Sequence, residues 1–182
     1  IESIDEKILD QFLLKKEDYN LLISRMEPEN SIETILQAFV NSNTKRKFVV
    51  IGNTENKYGK YIRNKFSDER IIYLGYVSGI EKLDALRKFS NLYFHGHTVG
   101  GTNPSLLEAM SSEALICANN NEFNKAILGY DAYYFHCKNC ITPLFEIDKL
   151  KERSIFVSNN ISKIREKYSW NKINSDYEHF MI

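Results

Sequence analysis

Six short apolar runs recur along the chain and alternate with longer segments of mixed polarity. The runs are rich in Val, Ile and Tyr, and most are apolar at consecutive positions rather than at every second one. This pattern is typical of strands that are buried on both faces of a parallel sheet. The runs are YNLLIS (19–24), KFVVIG (47–52), RIIYLG (70–75), NLYFHG (91–96), ALICAN (114–119) and AYYF (132–135).

Between these runs, apolar residues recur at the spacing of an amphipathic helix. The predicted helices cover 28–40, 57–66, 80–89, 122–128 and a segment that follows Asn103. Strands that alternate with helices predict an α/β fold, namely a Rossmann-like, doubly wound parallel sheet of about six strands. We assign this sheet core to residues 19–153.

Both ends of the chain carry apolar residues at helical spacing outside this core. The pattern predicts a connector helix in 1–18 and amphipathic helices in 154–182, and each needs a partner for its apolar face. That partner is either this domain or an absent portion of protein, since a chain that starts at Ile1 without Met is expected to be a fragment. The residues that define the pattern are Ile4, Ile8 and Phe12 at the start and Ile161, Ile164, Tyr168, Ile173, Tyr177 and Phe180 at the end.

The composition predicts one domain over residues 1–182. The chain is 43% hydrophobic and 26% charged, which is enough apolar material for a single well-buried core. Its 24 basic residues balance 24 acidic ones, so no overall field attracts nucleic acid. The sequence has neither an apolar stretch of about 18 residues nor the order of a secretory signal, and we expect a soluble, cytoplasmic protein.

Cys117, Cys137 and Cys140 are too few and too unevenly spaced for a disulfide framework. The stretch HCKNC (136–140) contains one C-x-x-C pair, but a single pair without a distant second cluster makes a poor zinc site. No strand-to-helix context of a redox motif is apparent around it. We therefore expect Cys137 and Cys140 to be plain loop thiols, and we predict no metal site.

In an open parallel sheet, ligands bind beyond the carboxyl ends of the strands, where the strand order reverses. The loops after the first and fourth strands, SRMEPENS and GHTVGGTNP, therefore form the candidate site. Asn103 is a suitable N-cap and Pro104 suits the first helical position, so free amides beside flexible Gly100 and Gly101 would bind an anion. Glu108, one turn later, would accept a hydrogen bond from a sugar hydroxyl. The alternative is an ordinary capped helix with a partly solvated glutamate.

Arg25 lies just after the first strand, where its forked cation would point into the same crevice. An arginine alone at such a position is commonly a surface residue. A cation and a helix N-terminus at two adjacent strand ends, however, together predict a diphosphate site. His95 and His97 lie at the end of the fourth strand, and we expect His95 to pack and His97 to face the phosphate or the sugar.

The residues in these segments also resemble a known family. The segments SRMEPENSIETILQAF, FVVIGN, IIYLGYVS, NLYFHGHTVGGTNPSLLEAMSS and YSWNKINSDYEHF resemble the C-terminal, donor-binding half of a GT-B glycosyltransferase of glycosyltransferase family 4 type. The resemblance covers roughly residues 19 to 181. Within this group, HGHTVGGTNPSLLEAM and RMEPEN are most similar to bacterial rhamnosyltransferases that build cell-surface polysaccharides from dTDP-L-rhamnose.

The resemblance implies that Arg25 binds the donor diphosphate and that Glu108 binds the ribose. Arg25 and His97 are the predicted catalytic residues. Backbone amides of 101–103 would meet the phosphates or the donor sugar, and the loop at 76–78 would line the base. The predicted donor-binding residues are Arg25, Asn53, Tyr76, Val77, Gly100, Gly101, Thr102, Asn103, Ser105, Leu107 and Glu108.

Two positions depart from the family pattern. The family usually has a lysine five residues after the arginine, where this chain has Asn30, and Lys57 or Lys60 would then compensate. The first glutamate of a pair separated by seven residues is replaced by Gly100. That glutamate normally holds hydroxyls of the donor sugar, so its loss fits a deoxy sugar such as rhamnose without proving it.

The resemblance implies metal-independent, retaining transfer without a cofactor, from a dTDP-sugar or UDP-sugar donor. A saccharide or lipid-linked saccharide acceptor would bind through an absent N-terminal domain, and the full-length protein would associate peripherally with the inner face of the cytoplasmic membrane. We expect the isolated chain to bind nucleotide weakly and to transfer nothing. The alternatives are a non-catalytic Rossmann-like nucleotide-binding module, half of a sugar-nucleotide epimerase, and an interaction domain that uses its terminal helices.

Overall fold

The computed structural model describes residues 4–146, 150–168, 172, 174 and 178. Within them, six parallel strands form one sheet in the order β3-β2-β1-β4-β5-β6. The strands are β1 (Tyr19–Ile23), β2 (Lys47–Ile51), β3 (Ile71–Gly75), β4 (Leu92–His95), β5 (Ile116–Asn119) and β6 (Tyr133–Phe135). The strand order reverses between β1 and β4, so the predicted doubly wound sheet and its switch point are confirmed.

Seven α-helices within the described residues connect or follow the strands. They are α1 (Ile32–Val40), α2 (Lys57–Lys65), α3 (Ile80–Lys88), α4 (Pro104–Ser111), α5 (Glu122–Leu128), α6 (Lys138–Ile141) and α7 (Leu150–Lys167). Short 3-10 helices cover Glu6–Phe12, Pro28–Asn30 and Thr142–Phe145. No helix among the described residues has the length and apolarity to cross a membrane.

The central strands are buried on both faces, as their continuous apolar runs predict. Leu21 of β1 pairs with Val49 on one side and with Tyr93 on the other, and all three side chains belong to one apolar cluster. The next residue, Leu22, belongs to a second cluster on the opposite face, because successive side chains of a strand alternate between faces. Two cores thus hold the sheet between two layers of helices.

The N-terminal segment packs on this domain. Asp5 caps the 3-10 helix Glu6–Phe12, and Leu9 is fully buried. Ile4, Ile8 and Phe12 are partly buried against the same cluster that contains Leu21. Their partner among the described residues is therefore the domain itself.

The C-terminal helix α7 also packs on the domain. Ile164 and Tyr168 lie against the cluster that contains Leu21, and Phe156 lies against the opposite one. Ile161 is partly exposed and belongs to neither cluster. The other apolar residues that define the predicted C-terminal pattern, Ile173, Tyr177 and Phe180, lie outside the described residues.

Two local predictions are wrong. The helix predicted at 28–40 is interrupted at Ser31, whose φ of 52° lies in the left-handed region and separates the short 3-10 helix from α1. The HCKNC stretch is not a plain loop, because Cys137 is the N-cap residue of α6 directly after β6. This turn forms because Ile141 and Phe145, just beyond it, are fully buried in the core.

Candidate functional site

The loops after β1 and β4 meet at the carboxyl edge of the sheet. Gly96 lies so close to the first loop that a Cβ there would be 1.9 Å from the Asn30 carbonyl oxygen. Thr98 donates hydrogen bonds from its amide (3.0 Å) and its hydroxyl (2.9 Å) to the Glu29 carbonyl oxygen. These contacts fix the segment that carries Arg25 against the loop that leads into α4.

Arg25 extends from this junction into solvent. Its side chain is 78% exposed, and its guanidinium lies 3.4 Å from the Glu27 carboxylate. Such an exposed ion pair contributes little to stability and can be exchanged for another anion. The guanidinium is therefore available to a ligand at the carboxyl edge.

Asn30, which stands where the family usually has a lysine, is buried and directed at the backbone. Its Nδ2 donates a hydrogen bond of 2.8 Å to the Arg25 carbonyl oxygen. Asn30 therefore holds the turn that carries Arg25. Of the two lysines that were predicted to compensate, Lys60 lies 3.9 Å from the Glu55 carboxylate, and Lys57 begins α2 in an exposed position.

His95 and His97 form a stacked pair behind this junction. Their ring centroids are 4.5 Å apart and their planes differ by 15°. Both ring nitrogens of His95 and Nδ1 of His97 are buried without a hydrogen-bond partner among the described residues. The structure thus places His95 in the core, and leaves His97 partly accessible on the loop side.

Burial lowers the pKa of both imidazoles. The pKa of His95 falls to about 3, mainly through desolvation and further through the nearby His97. For His97, desolvation acts first and the Arg25 charge second, while Glu29 opposes them. Both rings are therefore neutral near pH 7.

The N-terminus of α4 has the predicted cap. Asn103 Oδ1 accepts hydrogen bonds from the Ser105 amide (3.0 Å) and hydroxyl (2.9 Å), and Pro104 occupies the first turn. No heavy atom lies within 4 Å of a Cβ built at Gly100 or Gly101, apart from chain neighbours. Gly100 has a φ of 106°, a conformation that favours glycine. The three amides that follow Pro104 all donate to Asn103, so the prediction of free amides in the first turn of α4 is wrong. Residues 100–102 before the helix are exposed and open to an anion.

The Glu108 carboxylate is bound by Arg87, a buried arginine that the sequence pattern did not identify. The carboxylate accepts a hydrogen bond of 2.5 Å from Arg87 Nη2, and the two side chains are 45% and 2% exposed, respectively. Arg87 also pairs with Asp84 at 2.9 Å. An arginine three residues after an aspartate on a helix is ordinary in sequence, so only the fold reveals that it reaches α4.

The remaining predicted residues are dispersed around the same edge. Asn53, after β2, accepts a hydrogen bond of 3.0 Å from the Glu55 amide, and Tyr76, after β3, is 85% exposed. Val77 is buried in the core and Leu107 is partly buried against it, so both contribute mainly packing. Thr102 is exposed on the open loop. The structure therefore joins the segment that carries Arg25 to the loop that contains His97 and leads into α4, and places Asn53 and Tyr76 after the neighbouring strands β2 and β3.

The sequence matches the family described as Glycosyl transferases group 1 over residues 4–173. No curated protein matches the chain in sequence.

Among solved structures, HepE from Anabaena in complex with UDP and glucose superposes with a TM-score of 0.82 at 15% identity, over 97% of this chain and 51% of that one. The C-terminal domain of LpcC, a glycosyl transferase group 1 protein from Francisella tularensis, superposes with a TM-score of 0.74 at 18% identity, over 93% and 95% of the two chains. TarM from S. aureus superposes with a TM-score of 0.70 at 22% identity, over 90% of this chain and 35% of that one.

The chain thus spans about half the length of HepE and nearly the whole C-terminal domain of LpcC. Its six-stranded Rossmann-like sheet matches the C-terminal half of GT-B glycosyltransferases. Because the family match covers most of the sequence, the chain belongs to the glycosyl transferases group 1 family.

Proposed function

We propose that this domain binds the nucleoside diphosphate of a sugar-nucleotide donor and forms the donor half of a glycosyltransferase. One observation carries the proposal: the contact of Gly96 with the Asn30 backbone joins the Arg25 turn to the open loop before α4. This contact places the turn that carries the Arg25 guanidinium and the exposed backbone of 100–102 at one edge of the sheet. This combination suits two linked phosphates.

Glycosyl transfer requires the nucleoside diphosphate to leave with additional negative charge. Arg25 and the amides of 101–103 bind the phosphate oxygens where that charge develops. Donors fixed in advance at such a position each contribute about 3 kcal/mol to transition-state stabilisation. The exposed ion pair of Arg25 with Glu27 opens when the diphosphate arrives.

His97 acts as a neutral hydrogen-bonding group in this site. Because its pKa is lowered, His97 is uncharged in the free protein and adds no second positive charge to that of Arg25. When a diphosphate binds, its negative charge raises the pKa of His97, and the ring then donates to a phosphate oxygen or a sugar hydroxyl. His95 supports the ring of His97 through the stacked contact.

Glu108 accepts hydrogen bonds from the sugar of the nucleotide. Its bond to the buried Arg87 fixes one carboxylate oxygen, while the exposed part of the side chain remains free for a ligand. Arg87 therefore acts as a positioning residue for Glu108. Tyr76, exposed after β3, contacts the base.

For the donor itself we propose dTDP-L-rhamnose, used in bacterial cell-surface polysaccharide synthesis by metal-independent, retaining transfer. Similarity of GHTVGGTNPSLLEAM to rhamnosyltransferases supports this choice, as does Gly100 at the position of the first family glutamate. HepE is solved with UDP-glucose, so UDP-sugars are the alternative to be measured. The acceptor binds through a further domain, so the 182-residue chain alone is expected to yield no transfer product by mass spectrometry.

Calorimetry with dTDP-rhamnose, dTDP, UDP-glucose, UDP and GDP tests the proposal. Arg25→Ala should weaken diphosphate binding tenfold or more, because a hydrogen bond to a charged group contributes about 1.5–3 kcal/mol. Arg63→Ala is the matched control, since Arg63 on α2 is also exposed and lies 3.7 Å from the Glu55 carboxylate. Equal binding by the wild type and both variants would contradict the site. A preference for UDP-glucose over dTDP-rhamnose would overturn only the choice of donor.

A further inference from the structure

Three side chains with metal-binding atoms converge where β6 passes into α6. His136 follows the last residue of β6, Cys137 is the N-cap of α6, and Cys140 lies within that helix. Their ligand atoms all lie within 4.8 Å of one another. Cys140 Sγ is 3.4 Å from His136 Nε2 and 2.8 Å from Cys137 Sγ. The five residues 136–140 therefore place two thiols and one imidazole in one cluster.

The spacing and chemistry of these atoms suit a soft divalent metal. Zinc bonds to cysteine sulfur are about 2.3 Å long and those to histidine nitrogen about 2.0–2.1 Å, so adjacent ligands of a tetrahedral site lie roughly 3.4–3.8 Å apart. The contact between Cys140 and His136 already has this spacing. The two sulfur atoms would separate by about 1 Å, which small side-chain rotations permit at the partly exposed positions of Cys137 and Cys140.

The surroundings leave room for a fourth ligand. His136 and Cys137 line a cavity of about 790 Å³ whose other wall comes from α1 and the turn before it, including Ser31, Glu33 and Gln37. Glu33 is already paired with Lys65 on α2. Because Glu33 is occupied by this ion pair, a water molecule from the cavity would serve as the fourth ligand beside the three protein ligands.

We propose that His136, Cys137 and Cys140 form a binding site for a soft transition metal of the zinc class, with a coordination position open to this cavity. Each thiol releases its proton to solvent as its sulfur bonds the metal, while the imidazole binds in its neutral form. No oxidation or reduction takes place. The bound metal joins the end of β6 to α6 and stabilises the folded chain.

Zinc alone is the probe for a direct test on the reduced, tag-free chain. Competition with a chromophoric chelator should give one Zn²⁺ per chain, and Co²⁺ should give the charge-transfer absorption of a thiolate complex. Cys137→Ser and Cys140→Ser should each lower the affinity at least tenfold. The unfolding temperature of the wild type should rise with Zn²⁺, whereas that of the Cys137→Ser variant should not.

Two further variants separate the site from general effects. His136→Asn changes an exposed side chain, so the variant should fold and yet bind zinc at least tenfold more weakly. Cys117→Ala changes a buried thiol of β5 and should leave zinc binding unchanged. Zinc binding that is equal in the wild type and in the Cys137→Ser and His136→Asn variants would overturn the proposal. So would a Cys137–Cys140 disulfide that persists under millimolar reductant and excludes zinc.

Discussion

Gly96 is the residue on which the geometry of the site depends most closely. Its missing side chain lets the loop after β4 touch the backbone of Asn30, and this contact aligns the two site loops. Gly100 and Gly101 can be identified as candidates from the sequence because they precede a helix. Gly96 has no comparable signal, since a close backbone approach depends on a partner 66 positions away in the chain.

Replacing Gly96 with alanine should lower both stability and nucleotide binding. The new methyl group meets backbone rather than a movable side chain, so the loops must separate at a cost of about 1–3 kcal/mol. Urea unfolding measures the loss of stability, and calorimetry with dTDP measures the loss of affinity. Gly101→Ala is the control for stability, because no heavy atom outside its chain neighbours lies within 4 Å of the added carbon. Equal stability of the two variants would contradict the contact.

His95 should make the stability of the domain sensitive to acid. Its pKa is about 3 in the folded protein and close to 6.5 in the unfolded chain, so only the unfolded state takes up the proton between these values. The contribution of neutral His95 to the free energy of unfolding is therefore complete above pH 6.5. It decreases by about 1.4 kcal/mol per pH unit as the pH falls from 6.5 towards 3. The ring of His95 stacks on that of His97, which is also neutral near pH 7.

Urea unfolding across this pH range, with His95→Phe beside the wild type, isolates this contribution. The variant keeps an aromatic ring against His97 but cannot titrate, so its stability should decrease less steeply with acid. His136→Asn, which removes an exposed histidine, should follow the wild type. Parallel profiles for wild type and His95→Phe would show that His95 does not titrate as inferred.

At the scale of elements, the strands and the cap of α4 could be predicted, whereas α6 could not. Runs such as KFVVIG are buried on both faces, so their composition alone identifies them. The Asn103–Pro104 pair specifies a helix start through local hydrogen bonding and a fixed φ. A four-residue helix such as α6 is too short to show a period, and it forms because the residues after it dock on α1.

Phe145 provides the test of that docking. It is fully buried and its ring centroid lies 5.3 Å from that of Phe39 on α1 and 5.4 Å from that of Phe94 on β4. Phe145→Ala should destabilise the domain by about 3–5 kcal/mol, as truncation of a buried phenylalanine does elsewhere. Tyr130→Ala removes a 97% exposed ring and should change stability by less than about 0.5 kcal/mol. A small effect at Phe145 would show that the segment 142–145 is not docked.

At the scale of the whole molecule, the order of the strands decides where the site lies. Because β1 and β4 are neighbours at the switch point, the loops that follow them touch, at Asn30 and Gly96, although they are far apart in the sequence. The strand pattern predicted this convergence, since it depends only on topology. The buried pair of Arg87 with Glu108 could not be predicted, because it depends on how α3 and α4 pack.

The central claim is that one diphosphate is bound jointly by the Arg25 guanidinium and by the backbone amides before α4. A crystal structure of the chain with dTDP measures this most directly. We expect phosphate oxygens within about 3 Å of both the guanidinium and at least one amide of 101–103. A diphosphate that contacts neither group, or that lies away from the edge formed by β1 and β4, would contradict the account.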